Sequence, residues 1–251
     1  MSDVVDGYLL EVTGRLDQLA AEARSGGLDG AVDLIVNALE AGGVVQTFGT
    51  GHSEAFSMEF AGRAGGLIPT NKIALRDVVL RGGREAGTLG GSSLERDPAV
   101  VDELFDISPI GAADVFIIAS NSGVNGSVVG LALLAKDRGH KVIAVTSLRH
   151  TNAVETKHPS GMRLSEIADV VIDNEAPYGD TTLELPGIGG VGAVSSITAA
   201  FIAQLLTIGT ARRLAAAGKT PPLYISANIP GGDEHNKGLE NLYQGKIRRE
   251  A

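Results

Sequence analysis

The sequence has no cysteine and no tryptophan. The first absence excludes disulfides, thiolate nucleophiles and cysteine-built metal centres together, and it fits a reducing compartment. The second, with aromatic residues at only 4%, leaves the core to Ala, Val, Ile and Leu, a palette that suits helices packed on a buried parallel sheet. The longest apolar runs, such as Ile197 to Ile208, are too short and interrupted to span a bilayer. The opening MSDVVDGYLLEV has no basic segment followed by an apolar one. A cytoplasmic protein without a membrane partner is therefore expected. Clustered cations are scarce too. The formal net charge of −9 argues against a nucleic-acid partner, because phosphate backbones are held by grouped Lys and Arg. A small anion is a different case, since backbone N–H groups at a glycine turn bind phosphate even inside an acidic protein.

Glycine is abundant. Its 34 residues cluster at turns between apolar runs without a fixed period, which excludes collagen-like and low-complexity sequence. With 251 residues, no internal repeat and no dividing linker, one domain over 1–251 is expected. It would carry an N-terminal helical extension (about 1–42) and a C-terminal tail (about 221–251). Val5, Leu9, Val12, Leu16 and Leu19 predict an amphipathic helix over 4–23. A second helix, 28–41, is stopped by Gly42-Gly43 ahead of a strand over 44–48. Residues 114–119 (DVFIIA), the loop SNSGVNGS, a helix over 128–137 and the strand KVIAVTS form a βαβ unit, so the strands run parallel through a right-handed crossover. A short strand over 168–173 and a long helix over 194–214 follow. Residues 80–108, with RGGREAGTLGGSSLERD, read as a long functional loop or lid. Arg76, Arg81, Arg84 and Glu85 border it, either solvated or covering a ligand. The tail reads as a strand LYISANI, a polar loop PGGDEHNKG and a short helix.

Two stretches carry chemistry. Gly49-Thr50-Gly51-His52-Ser53 follows a strand and opens a helix, so its N–H groups and the helix dipole converge where an anion is stabilised. Ser120-Asn121-Ser122-Gly123 repeats the arrangement, and in an open parallel sheet both loops lie at the carboxyl edge. Helix capping by Ser and Asn accounts for the same residues and can hold simultaneously. Neither loop is a nucleotide site. There is no P-loop Lys, and G-x-G-x-x-G fails because position 54 is Glu. The serines favour a phosphate monoester.

GTGHS together with IIASNSGVNGSVVGLALLAKDRGHKVIAVTS resembles the SIS (sugar isomerase) domain, whose members bind phosphosugars. FAGRAGG and SANIPGGDEHN extend the resemblance over nearly the whole chain, to the UPF0309-like group and to actinobacterial N-acetylglucosamine 6-phosphate dehydratase-type proteins. Asn125 and Ser127 stand where many SIS isomerases have Thr and Glu. The resemblance implies an α/β three-layer sandwich with a five-stranded parallel sheet, homo-oligomers with sites near the interface, and a phosphate held by Gly51, Ser53, Ser120, Ser122 and Gly123. His52 and Asn121 lie within the same two loops and complete the candidate binding set.

A helix starting at Ser53 puts His52, Phe56, Glu59 and Arg63 on roughly one face and Glu54 elsewhere, solvated. Glu59 and Arg63 form either a surface ion pair or, at the edge of a phosphosugar, a base that removes a carbon-bound proton and a cation that stabilises charge. His235 in the tail titrates near neutral pH. It either sits in a solvated turn or transfers a proton, and the resemblance favours the second. The five histidines are dispersed, so neither a metal nor a cofactor is expected. The expected activity is dehydration of N-acetylglucosamine 6-phosphate, with Glu59 as base and His235 as acid. Aldose–ketose isomerisation is the alternative, and a non-catalytic phosphosugar sensor is a third reading.

Overall fold

The computed structural model describes residues 2–249; Met1, Glu250 and Ala251, at the ends of the expected domain, lie outside the described residues. In chain order the elements begin with α1 (Ser2–Arg24), α2 (Asp29–Glu40), β1 (Val45–Gly49), α3 (Glu54–Phe60) and β2 (Thr70–Ile73). Three short helices follow, α4 (Asp77–Leu80), α5 (Ser93–Arg96) and α6 (Val100–Asp106), and then β3 (Val115–Ala119), α7 (Gly126–Asp137) and β4 (Lys141–Thr146). The rest is α8 (Leu148–Thr151), α9 (Leu164–Ile167), β5 (Val170–Asp173), a hairpin of β6 (Thr181–Leu185) and β7 (Gly189–Ala193), α10 (Ser195–Ala216) and α11 (Gly232–Glu240).

The expected five-stranded parallel sheet is present, in the order β2-β1-β3-β4-β5. Its central strands β1 and β3 are buried along their whole length, which is why they read as continuous apolar runs rather than alternating ones. One face packs on α2, α3 and α10, with Leu19 of α1. The other packs on α6, α7 and α9. Four phenylalanines, Phe48, Phe56, Phe60 and Phe116, are the largest fully buried side chains in an otherwise aliphatic core. Polar groups buried in β1 are all engaged at their donors: Gln46 Nε2 donates to Asp114 Oδ2 at 2.7 Å, and Thr47 Oγ1 donates to the Asn71 carbonyl at 2.8 Å. Strand order reverses between β1 and β3, so the loops that leave these two strands splay apart and open a crevice at the carboxyl edge.

Three sequence expectations need correction. Residues 80–108 are not a bare loop: Leu94, Val100, Val101 and Leu104 are buried and anchor α5 and α6 onto the sheet. The apolar anchors there are spaced too briefly to register as a helical period. The expected strand over 223–229 does not form beyond one antiparallel bridge, Leu67 to Leu223. The Asn236 side chain takes its place, accepting from the Ile225 N–H at 3.0 Å and donating to the Ile225 carbonyl at 2.9 Å. The edge strand β2 and the β6–β7 hairpin were not anticipated. β2 is polar (TNKI), and its Asn71 is clasped by the tail, donating to the Lys246 carbonyl at 2.7 Å and accepting from Arg248 N–H at 2.7 Å. The hairpin is glycine-rich and lies against α1, where Tyr8 donates to the Ala193 carbonyl at 2.6 Å.

Candidate functional site

The first loop turns tightly as it leaves β1. A Cβ on Gly49 would come within 2.6 Å of the Ser53 carbonyl carbon, and Gly51 has φ of 56°, a left-handed conformation that favours glycine. In the second loop Ser120 Oγ accepts from the Gly123 N–H at 3.1 Å. Gly123 has φ of 63°, and a Cβ there would press on Thr146 Oγ1 at 3.1 Å and Thr151 Oγ1 at 3.2 Å. Asn121 is pinned by its side chain, which accepts from Asn174 Nδ2 at 3.1 Å, and by its carbonyl, which accepts from the Ser147 N–H at 3.2 Å.

These two turns meet in one narrow cleft. His52 and Ser53 line it from the first loop, Ser120 and Asn121 from the second, and Phe56 and Ala199 give it an apolar side. Gly51, Ser122 and Gly123 shape the turns without lining it. Ser195 and Ser196, at the N-terminus of the 22-residue α10, and Asn174 after β5 complete the polar wall. Asp180 fixes that helix end: its Oδ1 accepts from the Ser195 N–H at 2.8 Å and its Oδ2 from Ser195 Oγ at 2.6 Å. Asp180 does so from a left-handed backbone conformation, φ 63°. Beside it the His150 ring stacks on Tyr178 and its Nδ1 accepts from the Gly179 N–H at 2.9 Å. Burial pushes the His150 pKa below its usual value, against the pull of the Asp180 charge and with that of Lys157.

Glu59 lies one turn along α3 from Phe56 and its carboxylate is bonded by Arg63 and, at 2.7 Å, by Gln204 Nε2 of α10. The Glu59 side chain is 24% exposed and that of Arg63 48%. The pair is therefore tied into a helix contact, although α3 ends at Phe60 and Arg63 stands beyond it rather than on its face. Glu54 is not solvated as expected; it pairs with Arg76 and, at 3.8 Å, with Lys72. Arg84 likewise pairs with Glu103 at 2.6 Å. His235 sits on α11 with Nε2 3.1 Å from the Leu223 carbonyl, and it does not line the cleft. Sequence reasoning missed Asn174, Ser195, Ser196 and Glu95. The adjacent serines opening a long helix were a legible signal. Glu95 was hidden in the segment read as a loop, yet its Oε1 accepts from Thr50 Oγ1 at 3.1 Å and from Asn125 Nδ2 at 2.5 Å.

A doubly wound parallel sheet with two serine–glycine loops flanking its switch point defines an α/β domain built around a small-ligand crevice. The chain belongs to the SIS domain family, whose signature matches residues 7–147. Within it, the chain is 36% identical over 249 residues to a UPF0309 protein of Brucella canis, covering 97% of this chain and 98% of that one. It is 33% identical to a UPF0309 protein of Geobacillus thermodenitrificans, covering 97% and 96%. Among solved structures, a phosphoheptose isomerase from Francisella tularensis shares the fold at 19% identity and TM-score 0.54, covering 84% of this chain and 98% of that one. An Escherichia coli protein solved in complex with a phosphosugar does so at 13% identity and TM-score 0.51, covering 85% and 90%. Among the described residues no helix is long and apolar enough to cross a membrane.

Proposed function

We propose that this protein is a phosphosugar-processing enzyme that removes water from N-acetylglucosamine 6-phosphate. The observation that carries the reading is the convergence of Ser53, Ser120 and the N-terminal serines of α10 on one cleft at the switch point. Hydroxyl and N–H donors grouped at a helix start stabilise a phosphate monoester without needing a cation. The phosphosugar complex of the Escherichia coli protein that shares the fold supports a ligand of this class.

With the phosphate on those loops, C2 of an opened sugar lies four carbon–carbon bonds from C6. Glu59 stands about 5 Å further along α3 than the cleft-lining Phe56, one helical turn, which suits a base that reaches C2. In this reading Glu59 takes the C2 proton, the electron pair forms the C2–C3 double bond, and the C3–O bond breaks. The departing hydroxide takes a proton from His235 and leaves as water. Gln204 and Arg63 hold the Glu59 carboxylate for this step. His235 does not line the cleft of its own protomer, so the reading includes a homo-oligomer in which a second copy delivers it. No cofactor is required for this chemistry.

Aldose–ketose isomerisation is the second reading, favoured by the phosphoheptose isomerases that share the fold. It begins with the same proton transfer but returns the proton to C1. Incubation with N-acetylglucosamine 6-phosphate, followed by mass spectrometry, separates the outcomes. Loss of one water marks elimination, an unchanged mass with a new ketose marks isomerisation, and binding without turnover marks a sensor. Glu59→Gln should lower kcat by about 10²- to 10⁴-fold, the usual contribution of a general base. Full turnover in that variant would remove Glu59 from the mechanism.

A further inference from the structure

We propose that Glu95 is a positioning residue of the phosphosugar site, a single carboxylate that clamps the first glycine loop to the start of α7 and keeps that helix end open for the phosphate. Its ligand rests on the reading above; its mechanics rest on contacts within the chain. Oε1 accepts from Thr50 Oγ1 at 3.1 Å and from Asn125 Nδ2 at 2.5 Å. Thr50 immediately precedes Gly51 in the first loop, and Asn125 is the N-cap of α7, two residues past Gly123 of the second. The Glu95 carbonyl also accepts from Ser127 Oγ at 2.9 Å. The α5 turn is seated against α7 without slack, since a Cβ on Gly126 would lie 2.7 Å from the Arg96 carbonyl carbon and 3.0 Å from Pro98 N.

The chemistry of the pair fixes its direction. An ionised carboxylate only accepts, so Asn125 must present its NH₂ to Glu95. Its Oδ1, the atom that normally caps a helix by accepting from the first-turn N–H groups, is thereby turned away. The structure shows the result: Asn125 makes no cap bond, and its Oδ1 is buried with no donor. A good capping residue is held in a non-capping orientation, and the N–H groups of the first turn of α7 are left to an external anion. Glu95 thus fixes the spacing of the two loops and prevents the protein from satisfying its own anion site.

The clamp is tested by titrating N-acetylglucosamine 6-phosphate and N-acetylglucosamine into the wild type, Glu95→Ala and Glu95→Gln by calorimetry, with steady-state kinetics alongside. In Glu95→Ala the phosphorylated sugar should bind roughly tenfold or more weakly, with the free sugar unaffected and the kinetic loss falling on KM rather than kcat. Glu95→Gln keeps an oxygen that accepts from both donors and should stay within about threefold of wild type. Asn125→Ala should add little in the Glu95→Ala background, because the two act through one contact. Amide hydrogen exchange gives a readout without ligand: Glu95→Ala should speed exchange over 50–53 and slow it over 126–128, where Asn125 becomes free to cap. The proposal is overturned if Glu95→Ala binds the phosphosugar as tightly as wild type, if Glu95→Gln is as damaged as Glu95→Ala, if the loss lies in kcat alone, or if exchange at both loops is unchanged. A wild type that binds no phosphosugar defeats the phosphosugar reading, and the exchange measurement then decides the clamp by itself.

Discussion

Gly126→Ala sets two effects of opposite sign against each other. Inside a helix Ala is favoured over Gly by up to about 1 kcal/mol, and Gly126 has an ordinary helical backbone at the start of α7. On propensity alone the variant should be more stable than the wild type. Packing opposes it. The added methyl would lie 2.7 Å from the Arg96 carbonyl carbon and 3.0 Å from Pro98 N, both backbone atoms with no rotamer to change. Restoring normal contact requires the α5 turn to retreat by about 1 Å. That retreat stretches the 2.9 Å bond from Ser127 Oγ to the Glu95 carbonyl past hydrogen-bonding range. Overpacking costs about 1–3 kcal/mol and the lost bond about 0.5–1.5 kcal/mol, so the net is a destabilisation of about 1–3 kcal/mol. For a chain of this size the melting temperature should fall by roughly 3–10 °C. Thermal melting followed by circular dichroism measures it, with Gly238→Ala as control. Gly238 lies within α11 with open space around its Cβ position, and Ala there should raise stability by about 0.4–1 kcal/mol. Gly126→Ala melting at or above the wild type would show that α5 is not seated on α7 as described.

Two further outcomes follow from other parts of the molecule. Ser53→Ala combined with Ser122→Ala removes hydroxyls from both loops; each hydrogen bond to a charged group is worth about 1.5–3 kcal/mol, so calorimetric affinity for the phosphorylated sugar should fall at least tenfold while the free sugar is little affected, and equal losses for both would sink the phosphate assignment. Burial alone would raise the pKa of Asp169, but hydrogen bonds from Lys136, the Val142 N–H and Lys141 outweigh it and hold the group at about 2. A folded pKa below the unfolded one means stability that is present above about pH 4 and lost as pH falls toward 2. Discounted for the exposed lysines, Asp169→Asn should cost about 1–2 kcal/mol at pH 7 and flatten the acid side of a melting-temperature profile; an unchanged acid limb would refute the pairing.

The layers of the fold were legible because the forces that make them leave periodic marks. Helices α1, α2, α7 and α10 and the central strands announce themselves as amphipathic or continuously apolar runs. What escaped has no period to read. β2 is an edge strand of polar residues stabilised by a tail nearly the whole chain away, and the β6–β7 hairpin is mostly glycine and threonine held against α1. The two glycine loops were visible as turns between apolar runs. The walls between them were not, because Asn174, Ser195 and Ser196 reach the cleft only through the tertiary fold. Glu95 shows the limit most clearly: one carboxylate among many in a glycine-rich stretch, singled out only by what lies across from it in space.

The clasp on β2 also has a meaning in time. Asn71 and its partners Lys246 and Arg248 are separated by 175 and 177 positions. At about 5–20 residues per second a ribosome needs roughly 9–35 s to deliver the second half of that contact after the first. Through that interval the sheet has an unclasped parallel edge, the kind of surface on which nascent chains pair with one another. Expression from a gene truncated after residue 240 should therefore yield aggregates during synthesis itself, before any loss of catalysis is measurable.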